Sequence, residues 1–368
     1  MCGIFGIIAN KNTDLNQSFL IDSFNILAKY SQSRGKDSSG LCMFNQQTKE
    51  IDVYKGPIPI SDLMKNNQVN KSIASSFIAG NKSHYIFGHA RLVTNGTQLN
   101  HGNNQPVIKD NIIGVHNGII VNVNNLWEKN THLNRKYEID TEVLFTLIEN
   151  NYTDKNSYID KAISDAINDV YGTVAVSFVI NNMNKFVLAT NNGSLYKIQK
   201  ENELIYFASE YSILKQLEKK LQLNKLIGNY EIEQVKSNTG VIYDLDDLSC
   251  LDFPISDGSN HQEIKFVANP PKINTYNINP SNKQLSAVID LNYIHLNPEA
   301  DKQKKLLQYP IDVIKSLKRC KKCILPETFP FIYFDDNGVC NYCNNYVKNN
   351  QNKSIDDLMK LVNPYRGN

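Results

Sequence analysis

The chain opens on an apolar run, CGIFGIIA at residues 2–9, that begins directly after Met1. Its unbroken apolar character reads as a buried strand starting at the mature N-terminus. The run is short and has no basic flank, so it is not read as a secretory leader. The small side chain of Cys2 permits removal of the initiator methionine, which frees the Cys2 α-amine. Such an amine has an unperturbed pKa of about 8, so a useful fraction is neutral near pH 7. It can take the thiol proton through a water and generate a thiolate nucleophile within one residue. Position alone fits a buried structural cysteine more readily, because free cysteine is usually a core residue.

Helical periodicity follows at 15–31, where Phe19, Ser23, Ile26, Leu27 and Tyr30 share one face. SRGKDSSG at 33–40 reads as a polar loop. GLCMFN, IDVYKG, HYIFGHARL and NIIGVHNGIIV read as strands, with a long polar loop before the last of them. Two helical stretches, 140–150 and 158–171, precede two hairpins. They are TVAVSFVI with KFVLATN, and SLYKIQ with LIYFASE. A short helix at 210–221 leads to the strand in NTGVIYDLDD. Strands, adjacent helices and more antiparallel strands make the chain α+β.

Six segments carry a resemblance in their order and spacing: MCGIFGI, SRGKDSSG, GHARLVTNG, NNQPV, VHNGII and DTEVL. Together they resemble the class II glutamine amidotransferase domain, an N-terminal-nucleophile (Ntn) hydrolase domain. It occurs in glucosamine-6-phosphate synthase, the purine-pathway amidophosphoribosyltransferase and asparagine synthetase. The resemblance covers about residues 2–250 and implies a four-layer αββα sandwich of antiparallel sheets.

The resemblance also implies roles. Cys2 is the nucleophile and forms a glutamyl thioester. Asn117, through its side-chain amide, and Gly118, through its backbone N–H, form the oxyanion hole. Preorganised donors aimed at developing charge are what a tetrahedral intermediate needs. Arg91 holds the glutamine α-carboxylate, for which a fork of donors is suited. Thr94 and Asn95 make further glutamine-loop contacts, and Asp140 binds the α-ammonium. Without the resemblance, Asn117-Gly118 reads as an ordinary Asn-Gly turn, Arg91 as a surface ion pair and Asp140 equally as a helix N-cap. Arg34, Asp37 and Ser38 brace the site. Leu92 stands where several members carry tryptophan, although asparagine synthetases also have leucine there.

Four of the seven cysteines, Cys320, Cys323, Cys340 and Cys343, form C-x2-C-x16-C-x2-C. Two such knuckles present four thiolates to one ion, which closes a structural zinc site. Unligated thiols or one redox pair are the alternative. Cys42 and Cys250 read as core or linker residues without a role. This stretch resembles the segment that opens N-acetyl sugar amidotransferases, in which an ATP-pyrophosphatase domain with an SGGxDS loop follows. No such loop exists in this sequence.

The expected organisation is a glutaminase domain at 2–250, a linker or wrapping arm at 251–317, a four-cysteine zinc ribbon at 318–346 and a short helical tail at 347–368. The net charge of +2 points to neither nucleic acid nor an anionic membrane. No apolar run is long enough to span a bilayer, so a cytoplasmic protein is expected. The partners implied are glutamine and an ammonia-accepting synthetase domain or subunit, with an ATP-pyrophosphatase as one candidate. That module is expected to be missing from this chain or supplied separately. Zinc is the only cofactor expected, with no organic one. Two rival readings are an Ntn amidohydrolase acting on another amide, and a non-catalytic scaffold with a degenerate glutaminase domain.

Overall fold

The computed structural model describes residues 2–94, 96–153, 158–256, 265–279, 311–329, 332–346 and 355–363. They divide into two compact units, Met1–Glu299 and Ala300–Asn368.

The first unit begins with β1 (Gly3–Ala9), α1 (Gln17–Ser31), β2 (Ser38–Asn45), β3 (Glu50–Gly56), α2 (Ile60–Leu63), α3 (Asn67–Ser76) and β4 (His84–Arg91). There follow β5 (Val107–Lys109), β6 (Ile112–Ile120), α4 (Val123–Lys129), α5 (Thr141–Thr153), α6 (Ile159–Asp169), β7 (Gly172–Ile180) and β8 (Lys185–Thr190). It continues through β9 (Tyr196–Lys200), β10 (Leu204–Ala208), α7 (Tyr211–Leu221), α8 (Asn224–Ile227), β11 (Ile232–Gln234), β12 (Thr239–Asp244), β13 (Cys250–Pro254) and β14 (Ile273–Asn277).

The strands form an eight-stranded sheet, β11-β9-β10-β1-β4-β2-β3-β14, and a six-stranded sheet, β13-β12-β8-β7-β6-β5. The unbroken apolar run of β1 is explained by its central place, because both of its faces are covered. Phe5 and Ile7 pack against Phe24 and Leu27 of α1, with Leu214 of α7 in the same core. Ile4 and Ile8 face the other way, into a core shared with Val115, Phe186 and Leu188 of the six-stranded sheet. Phe87 and Phe186 meet edge to face across that interlayer, centroids 5.4 Å apart. On the far side, Val143, Leu144, Ile163 and Ile167 of α5 and α6 cover Val174, Val176 and Phe178. The order of layers is therefore helix, sheet, sheet, helix, the αββα arrangement expected.

Three local features differ from the sequence reading. Asn117 and Gly118 do not turn; they lie within β6, opposite Ala175 and Val174 of β7. A β-carbon at 118 would overlap the Thr173 carbonyl oxygen, so glycine is required there by close approach. Ser38–Gly40 belong to β2 rather than to a loop. One strand pair, β14 with β3, is parallel. Strand β14 lies in the stretch read as linker or wrapping arm, which also supplies most of β13 at the edge of the other sheet. Tyr276 of β14 stacks on Tyr54 at 4.7 Å, and Ile278 N donates to Lys55 O.

In the second unit, helix Ile311–Ser316 precedes two isolated bridges, Arg319 with Pro326 and Phe334 with Cys340. A single helical turn, Asn341–Asn344, and a helix, Ile355–Val362, follow.

Candidate active site

Strand register brings the site together. Gly3 faces Ala90, so the next row sets Cys2 beside Arg91. Cys2 has the same parity as Ile4 and Ile8 and so lies on the interlayer side; Asn117 has the parity of Ile113 and Val115 and faces it from β6. The Cys2 backbone nitrogen donates to Asn117 Oδ1 at 2.9 Å, joining the two sheets. With its oxygen committed, Asn117 keeps Nδ2 free of protein partners among the described residues. The Cys2 thiol points to the Leu92 carbonyl at 3.4 Å. Burial pushes the thiol pKa up; the Leu92 contact and the Arg91 charge offset this only in part. The resting group is therefore a thiol that needs a base.

The Cys2 carbonyl is also held. Arg34 Nε donates to it at 3.4 Å and Ser209 Oγ at 3.5 Å, while Arg34 pairs with Glu210. Ser209 Oγ in turn accepts the Ile4 N–H at 3.0 Å. Three segments distant in sequence thus fix the residue that carries the sulfur.

Arg91 ends β4 and is buried. Its Nη1 donates to Asn104 Oδ1 at 3.4 Å and its Nη2 to Gly96 O at 3.3 Å. Burial lowers its pKa, opposed by the charges of Cys2, Asp140 and Asp37. The following loop is pinned by Asp37, which accepts the Val93 N–H at 2.8 Å and donates its own N–H to Arg91 O at 3.0 Å. Gly35 lies so close to the Arg91–Leu92 backbone that a β-carbon would overlap it. Ser38 pairs with Arg91 across the ladder, but its buried hydroxyl has no hydrogen-bond partner among the described residues. Thr94 is half-buried in the loop, and Asn95 lies outside the described residues.

Asp140 is buried at the start of α5. Its Oδ2 accepts the Ile120 N–H of β6 at 3.0 Å, and no α5 amide donates to it among the described residues. The carboxylate is thus tied to the strand that carries Asn117. Cys2, Arg91, Asn117 and Asp140 form one buried group, in which Arg91 and Asp140 both act electrostatically on the Cys2 sulfur.

Several neighbours carry no signal in the sequence beyond their motifs. Gln105 clamps the backbone beside Asn117: its Nε2 donates to His116 O at 3.0 Å and its Oε1 accepts His116 N–H at 2.5 Å. His116 Nε2 donates to Thr173 O at 3.2 Å, and its Nδ1 lies 3.3 Å from Thr141 Oγ1. His89 is fully buried, and among the described residues neither ring nitrogen has a partner at hydrogen-bond geometry, although the His116 backbone is near enough to act on the ring. Burial, then the Arg91 charge, holds its pKa well below the ordinary range, so the ring is neutral.

In the second unit, the four Sγ atoms of Cys320, Cys323, Cys340 and Cys343 lie within 4.8 Å of one another. Cys320 and Cys343 are 3.9 Å apart, and Cys323 and Cys340 3.6 Å. Four ligands about 2.3 Å from one tetrahedral ion would sit about 3.8 Å apart. The N–H groups of Lys322, Cys323 and Cys340 point at the Cys320 sulfur at 3.4, 3.5 and 3.2 Å. The cluster fits a metal ion held by four thiolates.

No helix among the described residues is long and apolar enough to cross a membrane. Residues 89–216 match a family described as a glutamine amidotransferase domain. Two glutamine–fructose-6-phosphate aminotransferases (isomerizing) of Buchnera aphidicola are similar to the chain. That of subsp. Acyrthosiphon pisum is 26% identical over 249 residues, 66% of this chain and 38% of that protein. That of subsp. Baizongia pistaciae is 30% identical over 230 residues, 61% and 35% respectively. The chain thus spans little more than a third of the length of these relatives. A solved glutamine phosphoribosylpyrophosphate amidotransferase from B. subtilis aligns with a TM-score of 0.49 at 18% identity, covering 71% of this chain and 50% of that one.

Proposed function

We infer that this chain, which carries a class II glutamine amidotransferase domain, hydrolyses the side-chain amide of glutamine through Cys2 and delivers the ammonia to an acceptor module. The observation that carries this reading is the 2.9 Å contact from the Cys2 nitrogen to Asn117 Oδ1, beside a buried Arg91 and Asp140.

Loss of Met1 turns that nitrogen into an α-amine, oriented by Asn117 Oδ1 and by the two bonds to the Cys2 carbonyl. The neutral amine takes the thiol proton through a water, and the thiolate attacks the glutamine side-chain carbonyl carbon. Asn117 Nδ2 and the Gly118 N–H receive the oxyanion. The proton passes from the ammonium to the leaving nitrogen, the C–N bond breaks, and ammonia departs from a glutamyl thioester. Water, deprotonated by the same amine, then attacks the thioester, and glutamate leaves as the thiol is restored. Arg91 receives the substrate α-carboxylate and Asp140 its α-ammonium. Both are buried, so the pair favours an α-amino acid over an unrelated amide.

The four clustered cysteines hold a structural zinc ion, since four thiolates leave no open position for chemistry. The partner is an ammonia-accepting synthetase, with an ATP-pyrophosphatase acting on a sugar as one candidate, in the cytoplasm. Glutamate release from glutamine, measured in the processed protein and in Cys2→Ala, tests the reading. Turnover lost in the variant supports it. No turnover in protein whose first residue is verified as Cys2 favours a scaffold, and turnover of another amide but not of glutamine favours the other amidohydrolase.

A further inference from the structure

We propose that Lys55 is a positioning residue for the glutamine site, fixing the Asn104–Gln105–Pro106 corner from which Arg91 is held on one side and Asn117 on the other. The inference rests on the glutaminase reading above. Lys55 lies in β3 and is buried, and its Nζ donates to Asn104 O at 3.1 Å and Pro106 O at 3.2 Å. No carboxylate lies within ion-pair distance of it among the described residues. An ammonium buried on main-chain carbonyls alone is uncommon, because desolvation penalises its charge. That burial draws its pKa down to about 8.

The corner has a prepared seat. Lys55 faces Gly40 on β2, and Gly40 faces His89 on β4. A β-carbon on Gly40 would overlap Gln105 O and lie 2.8 Å from Pro106 Cδ. The missing side chain leaves a gap in the sheet's inner face, the corner sits in it, and Lys55 grips the corner from the side. From this seat the two halves of the site diverge. Asn104 Oδ1 accepts from Arg91 Nη1, and Asn104 Nδ2 donates to Gln98 O at 2.8 Å, within the loop after β4. Gln105 makes its two-bond clamp on His116, next to Asn117. One cation therefore governs both the residue that would receive the substrate carboxylate and the residue that would receive the oxyanion.

The test compares the full-length processed protein with Lys55→Met, which keeps the stem and removes the donors. Two readouts are taken: glutaminase kinetics, and hydrogen exchange resolved by peptide. In Lys55→Met, KM for glutamine rises and kcat falls, each by about tenfold. Asn104→Ala moves mainly KM and Gln105→Ala mainly kcat. The Lys55→Met/Gln105→Ala double variant loses less than the product of the single losses, because the two act through one corner. Exchange accelerates in 96–106 and 112–118 while β8 and β12 keep wild-type protection. Kinetic constants within about twofold of wild type, strict additivity, or acceleration spread evenly over the chain would overturn the proposal. If Lys55→Met does not fold, Lys55→Gln is read by the same criteria; failure of both would make Lys55 a general determinant of folding and would also overturn it. If the wild type itself releases no glutamate, the glutaminase reading falls, and the exchange pattern alone decides whether Lys55 positions this corner.

Discussion

The Cys2 nitrogen and Asn117 Oδ1, residues 115 positions apart on different sheets, are joined at 2.9 Å. On the proposed reading one side chain would serve two purposes: its oxygen would aim the base and its amide nitrogen would meet the oxyanion. Asn117→Ala removes both at once. Expected is a fall of about 10²–10³ in kcat, the scale of losing one oxyanion donor, with KM for glutamine little changed. Steady-state glutamate release checks it, and a rise in KM with kcat intact would contradict the assignment.

Arg91 is expected to act on binding. Arg91→Met should lower kcat/KM for glutamine by about 10²-fold, the loss of a buried charge-assisted pair. A glutamine analogue lacking the α-carboxylate should lose nothing. Equal losses on both compounds would place Arg91 in the framework rather than at the substrate.

The pH dependence has a definite sign. Burial raises the Cys2 thiol pKa, so the thiol does not ionise by itself near neutrality and the reaction waits on a neutral α-amine. kcat/KM should therefore rise with pH through about 8. A preparation that retains Met1, verified by mass, should show no such limb and no turnover. Full activity in that preparation would remove the amine from the mechanism.

Lys55 gives a linkage prediction. Its folded pKa is lowered to about 8, against about 10.4 in an unfolded chain. Between those values the unfolded state binds more protons, so this group makes stability rise with pH across that window. Urea melts at pH 7 and pH 9.5 should show wild type gaining on Lys55→Met at the higher pH. A difference between the two proteins that does not vary with pH would contradict the shift.

For the metal, Cys320→Ser should abolish about one equivalent of bound zinc. Added chelator should release the ion with loss of near-ultraviolet signal from Tyr333, Tyr342 and Tyr346. Glutaminase turnover should persist, since no cysteine of the cluster enters the chemistry. A protein purified without metal, with its thiols fully reactive, would contradict a structural zinc site.

The main strands and the longer helices were legible from local pattern: β1 from its unbroken apolar run, β7 and β8 as a hairpin, and α1 and α6 from helical periodicity. Cys2, Arg91, Asn117 and Asp140 were legible through motif order alone, since nothing local says that they meet. Asn117-Gly118 misled because the pair favours turns in isolation; pairing with β7 overrides that preference, and the glycine serves close approach instead. The short helices α2 and α3 lie in 57–82, where polar residues blur the apolar face. Lys55, and Gln105 beyond its place in NNQPV, could not be assigned their contacts from the sequence. Their partners are main-chain carbonyls and an amide, which any residue supplies, so no residue type marks the contact in advance.

Strand β14 covers the outer edge of β3, and β13 covers that of β12. Both come from beyond the motif-bearing region, so a fragment ended near residue 250 would carry every proposed catalytic group yet leave two rows of bare main-chain donors and acceptors. Such edges recruit strands from other molecules. A fragment carried past Ile278 keeps both edges capped, and the difference should appear as self-association rather than as altered chemistry.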